Sequence, residues 1–541
     1  MKKHLTVNSL VMTVTMILAV PMVSRASESP KFRERETTLC KDVFDQNIYY
    51  EGVNQLDLGR WGRKIFRKEI PAANVNVFDE VPDSSFFTNR HGRRRLSNEE
   101  LAKGSAETAG PDLSAPMKIT KGKQQGLHPG FFIEDAKGDR YCLKFDNEGS
   151  LELATAAEVA ASRFYHAIGY HVPQYTVLRF KAEDITIGEN AYTYDDTGFR
   201  KKMTPEILEQ YLSFLPVTED GEYLASASKI VPGKNVGHLS FRSRRQNDPE
   251  DPVNHRDRRE IRALSVFSAW LNNNDIRESN TLEMAVTENG KTVLKRYLFD
   301  FNSAFGAAAG GAKPPMFGHE YAIDYGEITK AVFALGFWEK PWQEKWRRAR
   351  EMPHKSPAIG YFSNDQFDPE DHKAQLPYEA FRVLTNADGF WAAKIIASFT
   401  DEDIRTMVKA GRYSRPEDED YLVQTLAERR DLIAKYWFSK AAPLDAFEVL
   451  NGKLVFKDLA VRHGFVDGNT IRYVAEVSRP GKKKKIAALE SREPSLVLDP
   501  SWTAEGGKAE LRIRVVCGEE ESPYVKVVLG GAGVEGVRHE D

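Results

Sequence analysis

The stretch Asn272-Asn273-Asn274-Asp275-Ile276-Arg277-Glu278-Ser279-Asn280, followed by Tyr297-Leu298-Phe299-Asp300-Phe301-Asn302, decides how the chain is read. It places one Asp, an Asn five residues later, and a second Asp at the end of an apolar run. These are the residue types that phosphoryl transfer requires. One carboxylate orients an attacking hydroxyl or accepts its proton, while an amide oxygen and another carboxylate hold Mg²⁺ against nucleotide phosphates. The spacing alone is common, so its meaning depends on what lies upstream.

Upstream, Met117-Lys118-Ile119-Thr120 begins a strand pattern and is followed by a loop carrying Gly122, Gly126 and Gly130. Phe131–Asp135, a Lys137-Gly138-Asp139 turn and Arg140–Asp146 then read as a hairpin. Glycines in such a loop let backbone N–H groups approach phosphates. Alternation places Lys144 on the face of Cys142 rather than that of Leu143. From Leu151 to Gly169, apolar residues recur at helical spacing, with Gly169 closing the helix before Val172-Pro173. Glu158 lies at the edge of that apolar face, just after the lysine strand, and invites an ion pair with Lys144. Glu152 is the competing partner, or else serves the helix N-terminus.

The chain continues with a strand at Tyr175–Phe180, a polar insert over 182–222 with a helix at 204–213, and a strand at Tyr223–Val231 ending in Pro232-Gly233. His255-Arg256-Asp257 has Arg262 five residues after its Asp, where a metal ligand would be needed, so the tripeptide reads as N-capping chemistry. The apolar helix Ile261–Leu271 delivers Asp275, and a hairpin turning at Glu288-Asn289-Gly290 brings Asp275, Asn280 and Asp300 to one end. Small residues over 302–320 suggest a lid or substrate loop. Helical patterns fill 326–440, with Trp338, Trp342 and Trp346 at core-like spacing. Short strand patterns after Pro443 predict a β-sandwich over 443–541, with Lys482–Lys485 as a solvated loop.

At the other end, Lys2 and Lys3 precede an apolar run from Leu10 to Val23, closed by Ser24-Arg25-Ala26. This predicts a cleaved secretory signal over 1–26 and an exported protein, periplasmic or extracellular, with no membrane span after cleavage. Cleavage takes the formal charge from -3 to -6, because the segment carries three basic residues and no acid. A mildly acidic chain gives no support to nucleic-acid binding. The three cysteines, Cys40, Cys142 and Cys517, allow one disulfide at most, and no CxxC or HExxH pattern suggests a zinc site. Residues 27–115 read as an arm packed on a later domain, with an aromatic-basic segment at Phe86–Arg95 and a helix start at Ser97-Asn98-Glu99-Glu100.

Taken in order, residues 117–300 resemble the protein-kinase-like superfamily, most nearly its HipA-type and phosphatidylinositol-kinase-like branches. The loop around Gly126 stands where a phosphate loop would be, and Leu143-Lys144-Phe145 where the nucleotide-binding lysine would be. Glu158 with Gly169-Tyr170-His171-Val172-Pro173 looks like a Glu helix ending in Gly-x-x-Val-Pro, and Asn274-Asp275 with Asn280 is similar to the catalytic loop. Asp300-Phe301-Asn302 is similar to the metal-binding Asp segment. The resemblance implies an α+β fold with an N-lobe over 116–232 and a helical C-lobe over 233–442. It implies ATP and Mg²⁺ as cofactors, with Gly126, Gly130, Lys144 and Glu158 on the nucleotide, Asn280 and Asp300 on the metal, and Asp275 on the acceptor. The acceptor is a protein, sugar or lipid. The glycine loop is not Gly-x-Gly-x-x-Gly, Asn274 stands where Arg is usual, and Asn302 where Gly is usual. Two alternatives use the same residues: a non-catalytic exported pseudokinase scaffold, and transfer of AMP rather than phosphate.

Overall fold

The computed structural model describes residues 32–35, 37–56, 58–59, 62, 69–123, 128–195, 198–308, 310–349, 352–482 and 484–540. Residues 1–26, expected to be a secretory signal, and Gly126, Ala309 and Lys483 lie outside the described residues. The chain is α+β and two-lobed, with further sheets at its C-terminal end.

The first lobe is a seven-stranded sheet in the order β4-β7-β3-β2-β1-β5-β6. Its members are β1 (Met117–Gly122), β2 (Gly130–Glu134), β3 (Arg140–Phe145), β4 (Tyr175–Phe180), β5 (Ile185–Tyr194), β6 (Arg200–Lys202) and β7 (Tyr223–Lys229). The polar insert therefore holds two strands as well as its helix, Pro205–Ser213, which Thr204 caps. Strand β5 is mostly exposed or half-buried, with only Ile185 and Ala191 buried, so it carries little apolar period in the sequence. Strand β3 is buried at five consecutive positions, Tyr141 to Phe145, because β2 and β7 flank it. Residues 153–168 form the expected helix, here α1 (Leu153–Ile168), with Gly169 following at φ 144°. A Cβ at Gly169 would meet the Phe87 ring at 2.3 Å, so the position holds the arm as well as the turn.

That arm is packed, as expected. Phe86 and Phe87 are buried, and Arg90 donates to the carbonyls of His166 (2.8 Å) and Tyr170 (3.0 Å). Ser97 and Glu100 form a capping box on the helix Asn98–Lys103. Helical turns at Leu39–Phe44 and Tyr50–Leu56, which the polar sequence did not advertise, lie against the second lobe.

The second lobe is built on α2 (Leu264–Leu271), α3 (Asn386–Ala397), α4 (Asp401–Lys409) and α5 (Pro416–Lys440), sharing one apolar core with α1. The hairpin β8 (Thr281–Glu288) and β9 (Lys291–Leu298) is in register with Glu288 opposite Lys291, and Asn289 and Gly290 take positive φ as a tight turn demands. Several expectations are corrected here. His255-Arg256-Asp257 is a 3₁₀ turn, and the helix after it has no side-chain cap. Instead His255 Nε2 bonds Asp251 Oδ2 at 2.7 Å, and Asp257 joins Arg256 and Arg262 in an ion-pair cluster. Residues 302–320 are not a loose lid: Ala304, Phe305 and Ala307 are buried, and Ala307–Ala308 pairs with Gly311–Ala312. The helical run is broken, since 352–378 holds only turns and isolated bridges. Trp338 is 38% exposed and Trp342 and Trp346 are half-buried, so none of the three lies in the buried core.

The C-terminal end stacks a three-stranded sheet and a six-stranded sheet around one apolar cluster, in keeping with the expected sandwich. Strands at Leu444–Leu450, Lys485–Ser491 and Gly533–His539 were not read from the sequence. His539 bonds Asp79 at 3.0 Å and the Leu444 carbonyl at 3.1 Å, and so ties this unit to the arm. Cys40, Cys142 and Cys517 are all free thiols.

Candidate active site

Alternation along β3 turns Lys144 inward, and the helical period of α1 sets Glu158 beneath it. Lys144 Nζ lies 2.5 Å from Glu158 Oε1 and 2.8 Å from Asp300 Oδ1, bridging the sheet, the helix and the loop after β9. Ser226 on the neighbouring strand β7 donates to Glu158 Oε2. Glu158 is buried, while Asp300 keeps 22% of its side chain exposed at the cleft. Burial alone would push the Asp300 carboxyl up, but Lys144 outweighs it and holds the group at about 2. The same pair of anions raises Lys144 well above the ordinary lysine range despite its burial. Asp300 therefore stands ionised throughout the physiological range.

Glu152 does not compete for Lys144. Its Oε2 accepts the Ser414 N–H and Oγ–H, both at 2.9 Å, and its Oε1 lies 3.4 Å from Arg179. Its backbone takes φ 70°, and the N-terminal N–H groups of α1 are satisfied instead by Asp146, which accepts from Ala154 and Thr155.

Helix α2 ends at Asn272 in the left-handed conformation, φ 50°. The loop it releases is fixed by the Asn273 N–H to the Ser268 carbonyl (2.9 Å) and the Gln375 N–H to the Asn274 carbonyl (2.7 Å). Asp275 Oδ1 lies 2.8 Å from Arg277 Nη1, and its Oδ2 accepts the Asn280 Nδ2 at 3.2 Å. Burial raises the Asp275 carboxyl to about 6, against the pull of Arg277. Asn280 also donates to the Asp275 carbonyl at 2.9 Å. The Phe299 N–H bonds the Asn280 carbonyl at 3.2 Å, so Asn280 sits beside the residue that precedes Asp300. Asp300 has φ 65°, and its N–H donates to Tyr175 Oη at 3.2 Å. Phe301 stacks on Tyr165 at 4.8 Å, anchoring the segment.

Sequence reasoning missed three residues that complete this arrangement. Lys313, almost fully buried, donates to the carbonyls of Asn272 (2.6 Å) and Ser303 (2.7 Å), joining the Asp275 loop to the Asp300 loop. Burial pushes its ammonium down to about 7. Lys123, whose Nζ bonds the His128 carbonyl at 2.9 Å, and the buried His128 face Lys144 and Asp300 from the glycine loop. The signal available was their place in that loop; nothing in the sequence marked Lys313. Gly130 pairs with Lys144 across the sheet, and its N–H donates to Tyr211 Oη at 2.6 Å. A Cβ there would meet the Leu143 carbonyl at 2.3 Å, which explains the glycine by close packing.

The donor set suits a hard divalent cation. Asp300 offers Oδ2 and Asn280 offers Oδ1, both oxygen ligands, since the opposite atom of each is engaged by Lys144 and Asp275. Among the described residues no group of three or more His, Cys, Asp or Glu side chains is placed to hold a metal. Two protein oxygens match a cation that takes its other ligands from phosphates and water.

No family model and no curated protein matches the chain. Among solved structures it is similar to the Helicobacter pylori proinflammatory kinase CtkA, at TM-score 0.32 and 12% identity over 61% of this chain and 98% of that one. It is also similar to the Golgi casein kinase with Mn/ADP bound, at TM-score 0.29 and 11% identity over 72% of this chain and 89% of that one. A further structure of the Golgi casein kinase gives TM-score 0.32 and 9% identity over 77% and 94%.

Proposed function

We propose that this cleft carries out ATP- and Mg²⁺-dependent phosphoryl transfer to a hydroxyl-bearing acceptor, a protein, sugar or lipid, in an exported protein. The observation that carries the reading is Lys144 bridging Glu158 and Asp300, with the Asp300 segment paired to the loop that presents Asp275 and Asn280. Lys144, held by two carboxylates, is a fixed cation for nucleotide phosphates, and Lys123 adds a second from the loop. Asp300 Oδ2 and Asn280 Oδ1 would hold Mg²⁺, which supplies charge neutralisation on the phosphates when bound. Burial raises the Asp275 carboxyl to about 6, which suits it to align an acceptor hydroxyl and take its proton. Asn280 hydrogen-bonds its Oδ2, and Arg277 lies 2.8 Å from its Oδ1 as an ion pair.

The test is label transfer from ATP, including onto the protein itself. Label from the γ-position, lost in Asp300→Ala, supports the reading. Label from the α-position alone assigns AMP transfer instead. Unchanged γ-transfer in Asp300→Ala overturns it.

A further inference from the structure

We propose that Asp42, in the N-terminal turn Leu39–Phe44, is a positioning residue for the candidate catalytic loop, holding the backbone between Asp275 and Asn280 from a segment 237 residues upstream. The inference rests on the reading of that loop given above.

Asp42 is 1% exposed, an expensive place for a carboxylate. Its Oδ2 accepts the Ser279 N–H at 3.1 Å and the Tyr378 hydroxyl at 2.8 Å. Tyr378 Oη in turn accepts the Glu278 N–H at 2.9 Å. Two successive backbone N–H groups of the 3₁₀ turn Glu278–Asn280 are thus fixed by one carboxylate and one hydroxyl. Asn280 ends that turn, and its side chain holds both the carbonyl and the carboxylate of Asp275. The chain of contacts therefore runs from Asp42 through Ser279 and Asn280 to Asp275. Asp42 also lies within electrostatic reach of Arg277, the ion-pair partner of Asp275. Its second oxygen, Oδ1, is buried without a hydrogen-bond partner among the described residues.

A purely structural anchor would not need this. The same segment is already fastened by Glu51 to Arg382 at 2.5 Å and by Arg242 over the Tyr50 ring at 4.6 Å. Those contacts hold the arm to the lobe. Asp42 is the residue of this segment whose side chain hydrogen-bonds backbone between the two proposed functional residues, among the described residues.

The test compares Asp42→Asn with Glu51→Gln in the full chain. Asp42→Asn is expected to lower kcat at least tenfold, about 1.4 kcal/mol, with the KM for ATP within twofold. Amide hydrogen exchange over 275–280 should accelerate in the same variant. Glu51→Gln should leave kcat and that exchange unchanged. Tyr378→Phe, which keeps the carboxylate, should repeat the pattern with a smaller loss. A kcat within twofold of the parent in Asp42→Asn, or equal losses in Glu51→Gln, overturns the proposal. If the parent protein transfers no phosphate, the functional reading fails on its own. Hydrogen exchange then still decides the tether: acceleration supports it and unchanged exchange overturns it.

Discussion

Asp300 and Asp275 stand on two loops stitched together by the buried Lys313, yet their carboxyls are displaced in opposite directions from the ordinary range. Both are removed from water, which raises a carboxyl. Asp300 has Lys144 at 2.8 Å, itself locked by Glu158, and is held at about 2. Asp275 has Arg277 at 2.8 Å, but burial prevails and the group sits at about 6. The difference lies in how the partner cation is itself supported. Lys144 is clamped between two anions on a packed strand, while Arg277 is a loop residue shared with Asp42 and Gln375. Environments that pull two carboxyls apart divide their roles, one as a permanent anion for a cation and one as a group that exchanges a proton.

The sharpest way to break this contrast is to remove the permanent anion. Asp300→Ala should abolish phosphoryl transfer, by about 10³-fold or more, measured as initial rates with saturating ATP. Next is the proton-exchanging member. Asp275→Asn should lower kcat by about 10²- to 10³-fold while ATP still binds, which calorimetry can separate from the rate. If Asp275→Asn weakened binding as much as Asp300→Ala, the division of roles would be wrong.

A smaller effect is expected at the clamp. Glu158→Gln should cost tenfold or more in kcat, about 1.4 kcal/mol, because Lys144 loses one of the two anions that hold it. Glu152→Gln should leave the rate within twofold and lower Tm instead, since its carboxylate serves Ser414 and Arg179. The mildest probe is pH. A base displaced upward to about 6 is ionised above that value, so kcat/KM should be level above pH 7 and fall about tenfold per unit below pH 6. Asp300, at about 2, contributes no limb in that range. A profile flat from pH 5 to 8 would count against Asp275 as the base.

The half of the site around Lys144 was legible because it rests on local periods. Alternation in a strand and the 3.6-residue repeat in the next helix place Lys144 and Glu158 on facing surfaces 14 residues apart. The hairpin that returns the chain to Asp300 carried its own turn signal at Asn289-Gly290. What could not be read were contacts without local pattern. Lys313 lies in a run of small residues, and only the folded loops show it bridging Asn272 and Ser303. Asp42 lies in a polar arm with no marker of its reach. The tryptophans misled for the opposite reason: helical spacing predicts one shared face but not that another element covers it, and Phe333, Leu335 and Phe337 beside them are exposed as well.

The central claim is that the cation-binding carboxylate and the clamped lysine form one nucleotide site. Its most direct test is thermal stabilisation by ATP, with and without Mg²⁺, in the parent chain and in Asp300→Ala. The account expects the parent to be stabilised by ATP far more with Mg²⁺ than without, and Asp300→Ala to lose the Mg²⁺-dependent part. Equal stabilisation with and without Mg²⁺ in the parent, or an undiminished Mg²⁺ effect in Asp300→Ala, would contradict it.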